Sequence, residues 1–107
     1  MEVFGSSKKL DKVLNDDKLI IKNYGKQIGI KIIQRREELL EATDLTEIST
    51  VPPPRLHGLH GDKEGQFAVD ISKNFRITFE AYDSDESQTT ERHLVKSILI
   101  LTIEDYH

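Results

Sequence analysis

Three consecutive prolines, Pro52 to Pro54, separate two parts of the chain that have different hydrophobic periodicities. Proline fixes φ and lacks an amide hydrogen, so this run predicts a stiff, extended connector that neither a helix nor a central strand can include. Apolar residues recur at helical spacing before the prolines and alternate with polar residues after them. Helices are therefore expected first and a sheet second.

Two helices are predicted before the prolines. Ser6 or Ser7 is a suitable N-cap for the first helix, and Gly25 suits its C-terminus. The second helix is weakened by Gly29. The short link predicts an antiparallel helical hairpin, and residues 44–49 can add one helical turn. The apolar stripes consist of Leu10, Val13, Leu14, Ile20, Ile21, Tyr24, Ile28, Ile32, Leu39 and Leu40.

Three strands are predicted after the prolines, and residues 1–4 form a short strand before the helices. Apolar and polar residues alternate in 67–71 and 75–79, which form a hairpin. Its aromatic face should meet the helices, with Arg76 on the opposite face. Residues 97–103 contain five Ile or Leu in seven positions, which is typical of a strand covered on both faces.

The length of 107 residues fits a single domain, residues 1–107, with an α+β fold. The predicted architecture is an N-terminal helical hairpin packed on a small, mainly antiparallel sheet, in the order β-α-α-β-β-β. No apolar run approaches the roughly 18 residues that a membrane span needs, and the N-terminus lacks the pattern of a signal sequence. We therefore expect a cytoplasmic protein without a membrane partner.

Composition limits the possible chemistry. With no cysteine, the chain has no disulfide, thiolate zinc site or thiol nucleophile. The four histidines do not follow a recognised metal spacing, and no metal or cofactor is predicted. The net charge of −4 at first disfavours a nucleic-acid partner. However, residues 1–81 hold 13 Lys/Arg and 13 Asp/Glu, whereas residues 82–107 hold 2 and 6, so the body of the domain is neutral.

The final residues, Glu104-Asp105-Tyr106-His107, directly follow the last predicted strand and form a candidate site. Alternation along a strand places Tyr106 on the side of Glu104, and Asp105 and His107 on the other side. Histidine titrates near neutrality and can donate or accept a proton. From the tail alone, the simpler interpretation is that Tyr106 and His107 cap the edge of a core.

Three segments in this order resemble the HigB branch of the RelE/ParE superfamily of bacterial toxin-antitoxin systems. They are Leu56-His57-Gly58-Leu59-His60-Gly61-Asp62-Lys63-Glu64-Gly65-Gln66-Phe67, Asn74-Phe75-Arg76-Ile77-Thr78-Phe79 and Glu104-Asp105-Tyr106-His107. The resemblance implies helices packed on a curved sheet and a ribosome-dependent messenger-RNA endoribonuclease. It also implies three partners: a cognate antitoxin, the ribosome and messenger RNA.

The resemblance also implies roles for individual residues. His107 matches the C-terminal catalytic histidine, Asp105 and Tyr106 match its neighbours, and Arg76 and His57 match the other two motifs. The chain departs from the family at His60, where HigB-like sequences usually have lysine. It also departs in residues 83–92, a loop that is longer and more acidic than the usual tight hairpin.

RNA cleavage by internal transesterification needs a base, an acid and cationic donors for the phosphorane, and this route requires no metal. Arg76 suits transition-state stabilisation, although a structural pairing with Glu80 or Asp70 is an equally simple interpretation. His107 can act as acid or base, and Asp105 can orient it. Tyr106 can stack on a base. The acid and the base cannot be told apart from the sequence.

The glycine-rich segment adds further candidates. His57 and His60 lie three residues apart and are read either as catalytic or as part of a polar turn. His60 can stand in for the missing lysine only when it is charged, which predicts a weaker or more pH-dependent nuclease. Lys63, Arg55 and Gln66 are candidate substrate-binding residues.

Two other functions remain open at this point. A ParE-like DNA gyrase inhibitor shares the fold, but the terminal motif disfavours it. A catalytically weak toxin relic that acts as a binding module is supported by the acidic loop and the absent lysine.

Overall fold

The computed structural model describes residues 1–105. Three helices precede most of the sheet, and short 3-10 turns connect the later strands. The helices are α1 (Lys8–Leu14), α2 (Asp17–Tyr24) and α3 (Lys26–Glu41). The strands are β1 (Glu2–Gly5), β2 (His57–Gly58), β3 (Gln66–Asp70), β4 (Phe75–Tyr82) and β5 (Ser97–Asp105). The 3-10 turns are Leu45–Glu47, Gly61–Lys63 and Arg92–Leu94.

The five strands form one sheet in the order β1-β5-β4-β3-β2. β1 pairs in parallel with β5, and the other neighbours pair antiparallel. The predicted α+β class, with helices before a mainly antiparallel sheet, is therefore confirmed. The structure adds the two-residue strand β2, whose short length gives no periodic signal in the sequence.

The prediction of a single first helix is wrong. This segment forms two helices, α1 and α2, which are separated by Asn15 and Asp16. The Asn15 side-chain amide donates to the Asp11 carbonyl at 2.8 Å, which closes α1. The Asp16 carboxylate accepts from the Lys18 amide at 3.0 Å, so it caps α2. Ser7 caps α1 as predicted, through a 3.1 Å bond from the Leu10 amide.

Gly29 lies buried in α3, where it allows α2 to approach closely. A Cβ at position 29 would lie 3.2 Å from the Cα of Ile21 on α2. Gly25 alone links the two helices, with a φ of 81° that favours glycine. Gly29 is thus a packing residue of the predicted helical hairpin rather than only a weak point in its helix.

The hydrophobic core lies between the helices and one face of the sheet. Phe67 and Phe79, opposite each other on β3 and β4, stack with ring centroids 5.8 Å apart. Ile32 and Leu39 of α3 are fully buried in the same cluster. The prediction that the aromatic face of the hairpin meets the helices is confirmed. Within residues 1–105, no helix is long and apolar enough to span a membrane.

The proline segment turns instead of extending, so the expected extended connector is wrong. The amide of Arg55 donates to the carbonyl of Val51 at 3.1 Å, and the Pro52–Pro53 peptide is cis. Arg55 itself has a φ of 45°. The chain thereby reverses directly before β2, which brings His57 to the edge of the sheet.

A β-bulge in β5 decides which residues face away from the core. Thr78 pairs with Thr102, but its neighbour Phe79 pairs with Ile100, so Leu101 is an extra residue. Ile100 therefore faces the core while Thr102 faces the opposite side, although regular alternation would put both on one face.

Candidate active site

The sheet face opposite the helices carries mainly polar side chains, which form two rows, and we call it the polar face. The first row runs across four strands as His57, Ala68, Thr78 and Thr102, and the second across three strands as Asp70, Arg76 and Glu104. Directly opposed residues of paired strands share a face, so both rows point the same way. The register therefore brings the second and third sequence motifs onto one surface.

Arg76 and Glu104 form an ion pair at the centre of the second row. Arg76 Nε and Nη2 each lie 3.2 Å from Glu104 Oε1. Lys63 donates to the same oxygen from 3.4 Å, although it belongs to the β2–β3 loop. One carboxylate oxygen thus gathers two cations on the polar face. Arg76 thus pairs with Glu104, whereas the structural alternatives considered from the sequence were Glu80 and Asp70.

A second ion pair lies at the edge of the same row. Arg55 Nε and Nη2 contact the two Asp70 oxygens at 2.6 and 3.0 Å, a bidentate geometry. Arg55 therefore extends the second row at its edge, and the charges alternate from Arg55 through Asp70 and Arg76 to Glu104. The Arg55 side chain is 39% exposed, so this predicted substrate-binding residue lies at the rim of the polar face and also has a structural role.

Thr78 and Thr102 join the two central strands of the polar face. Their hydroxyl groups lie 2.6 Å apart, and Thr78 is buried with 1% exposure. Ala68, beside Thr78 in the first row, is also fully buried. These small residues form the floor of the polar face.

His57 occupies the β2 end of the first row and is half-buried. Its Nδ1 lies 2.7 Å from the Arg55 carbonyl oxygen. A carbonyl oxygen only accepts, so Nδ1 carries a hydrogen, and in the neutral ring Nε2 keeps the lone pair. Two strand spacings, about 10 Å, separate His57 from Thr78 across the sheet, and Arg76 lies two residues, about 7 Å, further along β4. His57 is thus on the same face as the two cations and has the tautomer of a base.

His60 is a highly exposed residue that takes no part in the Arg76–Glu104–Lys63 contacts. Its side chain is 91% exposed, and its Nδ1 is 3.8 Å from the Glu64 carboxylate. It borders a cavity of about 250 Å³ together with Gln66 and Arg92. Arg92 in turn lies over the Phe67 ring, 5.6 Å from its centroid. The structure therefore places Lys63, and not His60, beside Arg76.

The terminal motif is described only in part. Glu104 is on the polar face, whereas Asp105 is exposed, pairs with Phe75 across β4 and lies on the other face by alternation. Tyr106 and His107 lie outside the described residues. Among residues 1–105, no three His, Asp or Glu side chains converge as possible metal ligands.

The acidic part of the 83–96 loop begins at the far end of β4. Tyr82 is six residues beyond Arg76, a distance of about 20 Å along a strand. The Asp83 carboxylate accepts from the Asp85 and Ser87 amides at 2.9 and 3.0 Å, which fixes the turn. Near it, a hydrogen bond to the Glu80 carboxylate raises the pKa of Tyr82. The acidic turn is thus remote from Arg76.

Sequence reasoning missed Thr78 and Thr102 as members of the site, and it included Glu104 in the terminal motif without assigning it a role. Each lies inside or beside a quoted motif, but the sequence gives no register between β4 and β5. Only the alternation of Thr102 and Glu104 along β5 pointed to a shared side.

No protein-family model matches the chain. The chain is 33% identical to the endoribonuclease HigB of Proteus vulgaris over 78 residues, which span 70% of this chain and 72% of the relative. A solved structure of a YoeB/ParE toxin from Agrobacterium tumefaciens superposes with a TM-score of 0.59 at 12% identity, with full coverage of both chains. The latter similarity concerns the fold alone.

Proposed function

Because the chain belongs to the HigB-like toxins of the RelE/ParE superfamily, we propose that it is the toxin of a type II toxin-antitoxin system and cleaves messenger RNA. Residues 1–107 act as a single toxin domain in the cytoplasm. A cognate antitoxin neutralises the toxin. The ribosome presents the messenger RNA, and cleavage stops translation and growth.

One observation supports this proposal above the others: His57, Arg76 and Lys63 lie on the same face of the sheet. A base and cationic donors on one surface are what RNA transesterification needs. Lys63 and Arg76 are 13 positions apart in the sequence. Both contact Glu104, so the fold brings these two cations together.

The proposed reaction begins with the 2′-hydroxyl of RNA. His57 Nε2 accepts its proton while the 2′-oxygen attacks the adjacent phosphorus and the P–O5′ bond breaks. The Arg76 guanidinium and the Lys63 ammonium stabilise the negative charge that develops on the phosphorane. As the proton donor to the leaving 5′-oxygen we propose His107, the catalytic histidine that the family resemblance implies; this role requires the residues after Asp105 to bring its side chain to the polar face. The products are a 2′,3′-cyclic phosphate and a 5′-hydroxyl end, so atoms and charges balance without a metal.

The other site residues have supporting roles in this proposal. Asp105 orients His107, and Tyr106 stacks on a nucleobase. Arg55 and Gln66 contact RNA at the rim of the polar face, and His60 has only a peripheral role because its side chain is 91% exposed.

Induced expression followed by mapping of transcript ends tests the function. Wild type should produce new 5′ ends within translated regions, and His107→Ala should produce few or none. His93→Ala is the matched control, since His93 is exposed in the Arg92–Leu94 turn.

Each outcome has a distinct meaning. Equal cutting by wild type and His107→Ala would refute the role of His107. Absence of cutting by wild type would refute the nuclease proposal, and altered DNA supercoiling would then favour the gyrase-inhibitor alternative. If wild type causes neither transcript cleavage nor altered DNA supercoiling, the result would favour a binding module without activity.

A further inference from the structure

We propose that Glu104 is a positioning residue that sets the two phosphate-binding cations, Arg76 and Lys63, in their reactive arrangement. The inference rests on the proposed function and adds a residue to its site. A single oxygen, Glu104 Oε1, accepts hydrogen bonds from Arg76 Nε at 3.2 Å and from Lys63 Nζ at 3.4 Å, and it also lies 3.2 Å from Arg76 Nη2.

The Arg76 side chain is well placed to be held by this contact. It is 16% exposed and Glu104 is 29% exposed, so the pair is partly withdrawn from solvent. The Nε hydrogen bond and the 3.2 Å ion-pair contact of Nη2 with the same oxygen together restrict rotation of the guanidinium group. Positioning a donor before the reaction is worth more than adding a mobile charge, because no reorganisation is needed when charge develops.

Lys63 depends on Glu104 in a different way. It ends the Gly61–Lys63 turn, and Gly61 and Gly65 on either side have φ values of 67° and 89°. Its ammonium crosses to β5, 41 positions away in the sequence. The contact therefore ties the β2–β3 loop to the sheet. Without the carboxylate, Arg76 and Lys63 would repel each other, and the longer, 42% exposed lysine would move away.

This arrangement has a cost in affinity. The carboxylate neutralises part of the positive charge that attracts RNA, so Glu104 weakens binding while it improves geometry. Removing its charge should then change binding and cleavage in opposite directions. A residue with a merely structural role would not produce that combination.

The experiment compares Glu104→Gln with Glu104→Asp and the control Glu80→Gln. Glu80 is a carboxylate on the same face of β4, and it accepts from the Tyr82 hydroxyl at 2.8 Å. Single-turnover cleavage of messenger RNA on programmed ribosomes gives the rate. Fluorescence anisotropy with a short RNA carrying 2′-O-methyl groups gives the affinity without cleavage.

We expect Glu104→Gln to cleave about 10- to 100-fold more slowly, the loss typical of a misplaced transition-state donor. It should bind the 2′-O-methyl RNA about threefold more tightly at low salt, with a log-log salt slope steeper by about 0.7 per added phosphate contact. Glu104→Asp should recover part of the rate because it retains the charge. Glu80→Gln should resemble wild type in both measurements.

A cleavage rate for Glu104→Gln within twofold of wild type would overturn the inference, as would parallel losses of rate and affinity. A third readout does not need activity: the Nε–H resonance of Arg76 in an NMR spectrum should exchange faster with water in Glu104→Gln than in wild type. If wild type never cleaves RNA, the proposed function fails, while this resonance and the RNA affinity still decide the role of Glu104.

Discussion

The Nδ1 atom of His57 lies 2.7 Å from the backbone carbonyl oxygen of Arg55, two residues earlier in the chain. The Arg55 side chain is itself held by a bidentate ion pair with Asp70. The ion pair of the Arg55 side chain therefore helps to fix the Arg55 carbonyl. This carbonyl determines which ring nitrogen of neutral His57 carries the hydrogen.

We expect neutral His57 to be the Nδ1–H tautomer, with Nε2 unprotonated and available as a base. Two-dimensional NMR that correlates ring carbons with ring nitrogens distinguishes the tautomers directly. Detection of a hydrogen on Nε2 in the neutral ring would contradict the assignment of His57 as the base. His93, which is exposed, provides an internal reference in the same spectrum.

Lys63→Gln should lower the single-turnover cleavage rate by about 10-fold, because one cation beside the phosphate is lost. His60→Gln should change it by less than about threefold, since that side chain is 91% exposed and takes no part in the Arg76–Glu104–Lys63 contacts. If His60 stood in for the missing lysine, His60→Lys would raise activity at alkaline pH. With Lys63 as the second cation, we expect no such gain, and a clear gain would restore His60 as the missing charge.

Thr78→Val should destabilise the protein by about 1–3 kcal/mol, because it removes a buried hydroxyl and leaves the partly buried Thr102 hydroxyl without its 2.6 Å partner. The double variant with Thr102→Val should cost less than the sum of the two single variants. Urea denaturation measures both values. Thr90→Val, at an exposed loop position, should stay within about 0.5 kcal/mol of wild type. Additive losses would show that the two hydroxyls are not coupled.

Gly29→Ala should lower the free energy of unfolding by about 1–2 kcal/mol, despite the better helix propensity of alanine. The new Cβ would lie 2.8 Å from Ile21 Cδ1 and 3.2 Å from its Cα. Adding Ile21→Val removes the Cδ1 atom, so the double variant should recover part of the loss. Thermal unfolding of both variants tests this, and a stabilised Gly29→Ala would argue against close packing of α2 and α3.

Asp44 gives a prediction about pH. Hydrogen bonds from the Thr46 hydroxyl and amide lower the pKa of Asp44 below its ordinary value. A carboxyl with a depressed pKa in the folded state contributes stability at pH values above its unfolded pKa, and this contribution is lost as the pH falls through the folded pKa. The stability difference between wild type and Asp44→Asn should therefore shrink in acid. Urea denaturation at pH of about 7 and about 2.5 measures it, with Asp85→Asn as an exposed control. An unchanged difference would contradict the shift.

Local signals predicted much of the helical half and the hairpin. Ser7 caps a helix because its side chain satisfies an amide three residues away. Phe67 and Phe79 face the core because alternation along a strand is a local property. The break between α1 and α2 was missed because the apolar stripe continues across it, although Asp16 is a suitable N-cap.

By itself, the sequence determined the α+β class, the hairpin with its buried aromatic face, and the candidate residues His57, Lys63 and Arg76. The tertiary structure decided which of these residues meet. The bulge at Leu101 turns Thr102 and Glu104 to the polar face while Ile100 stays in the core, and the β2–β3 loop carries Lys63 to Glu104. Hydrophobic periodicity is set by neighbours along one segment, whereas register and loop closure depend on packing between segments far apart in the chain, and no local pattern encodes that packing.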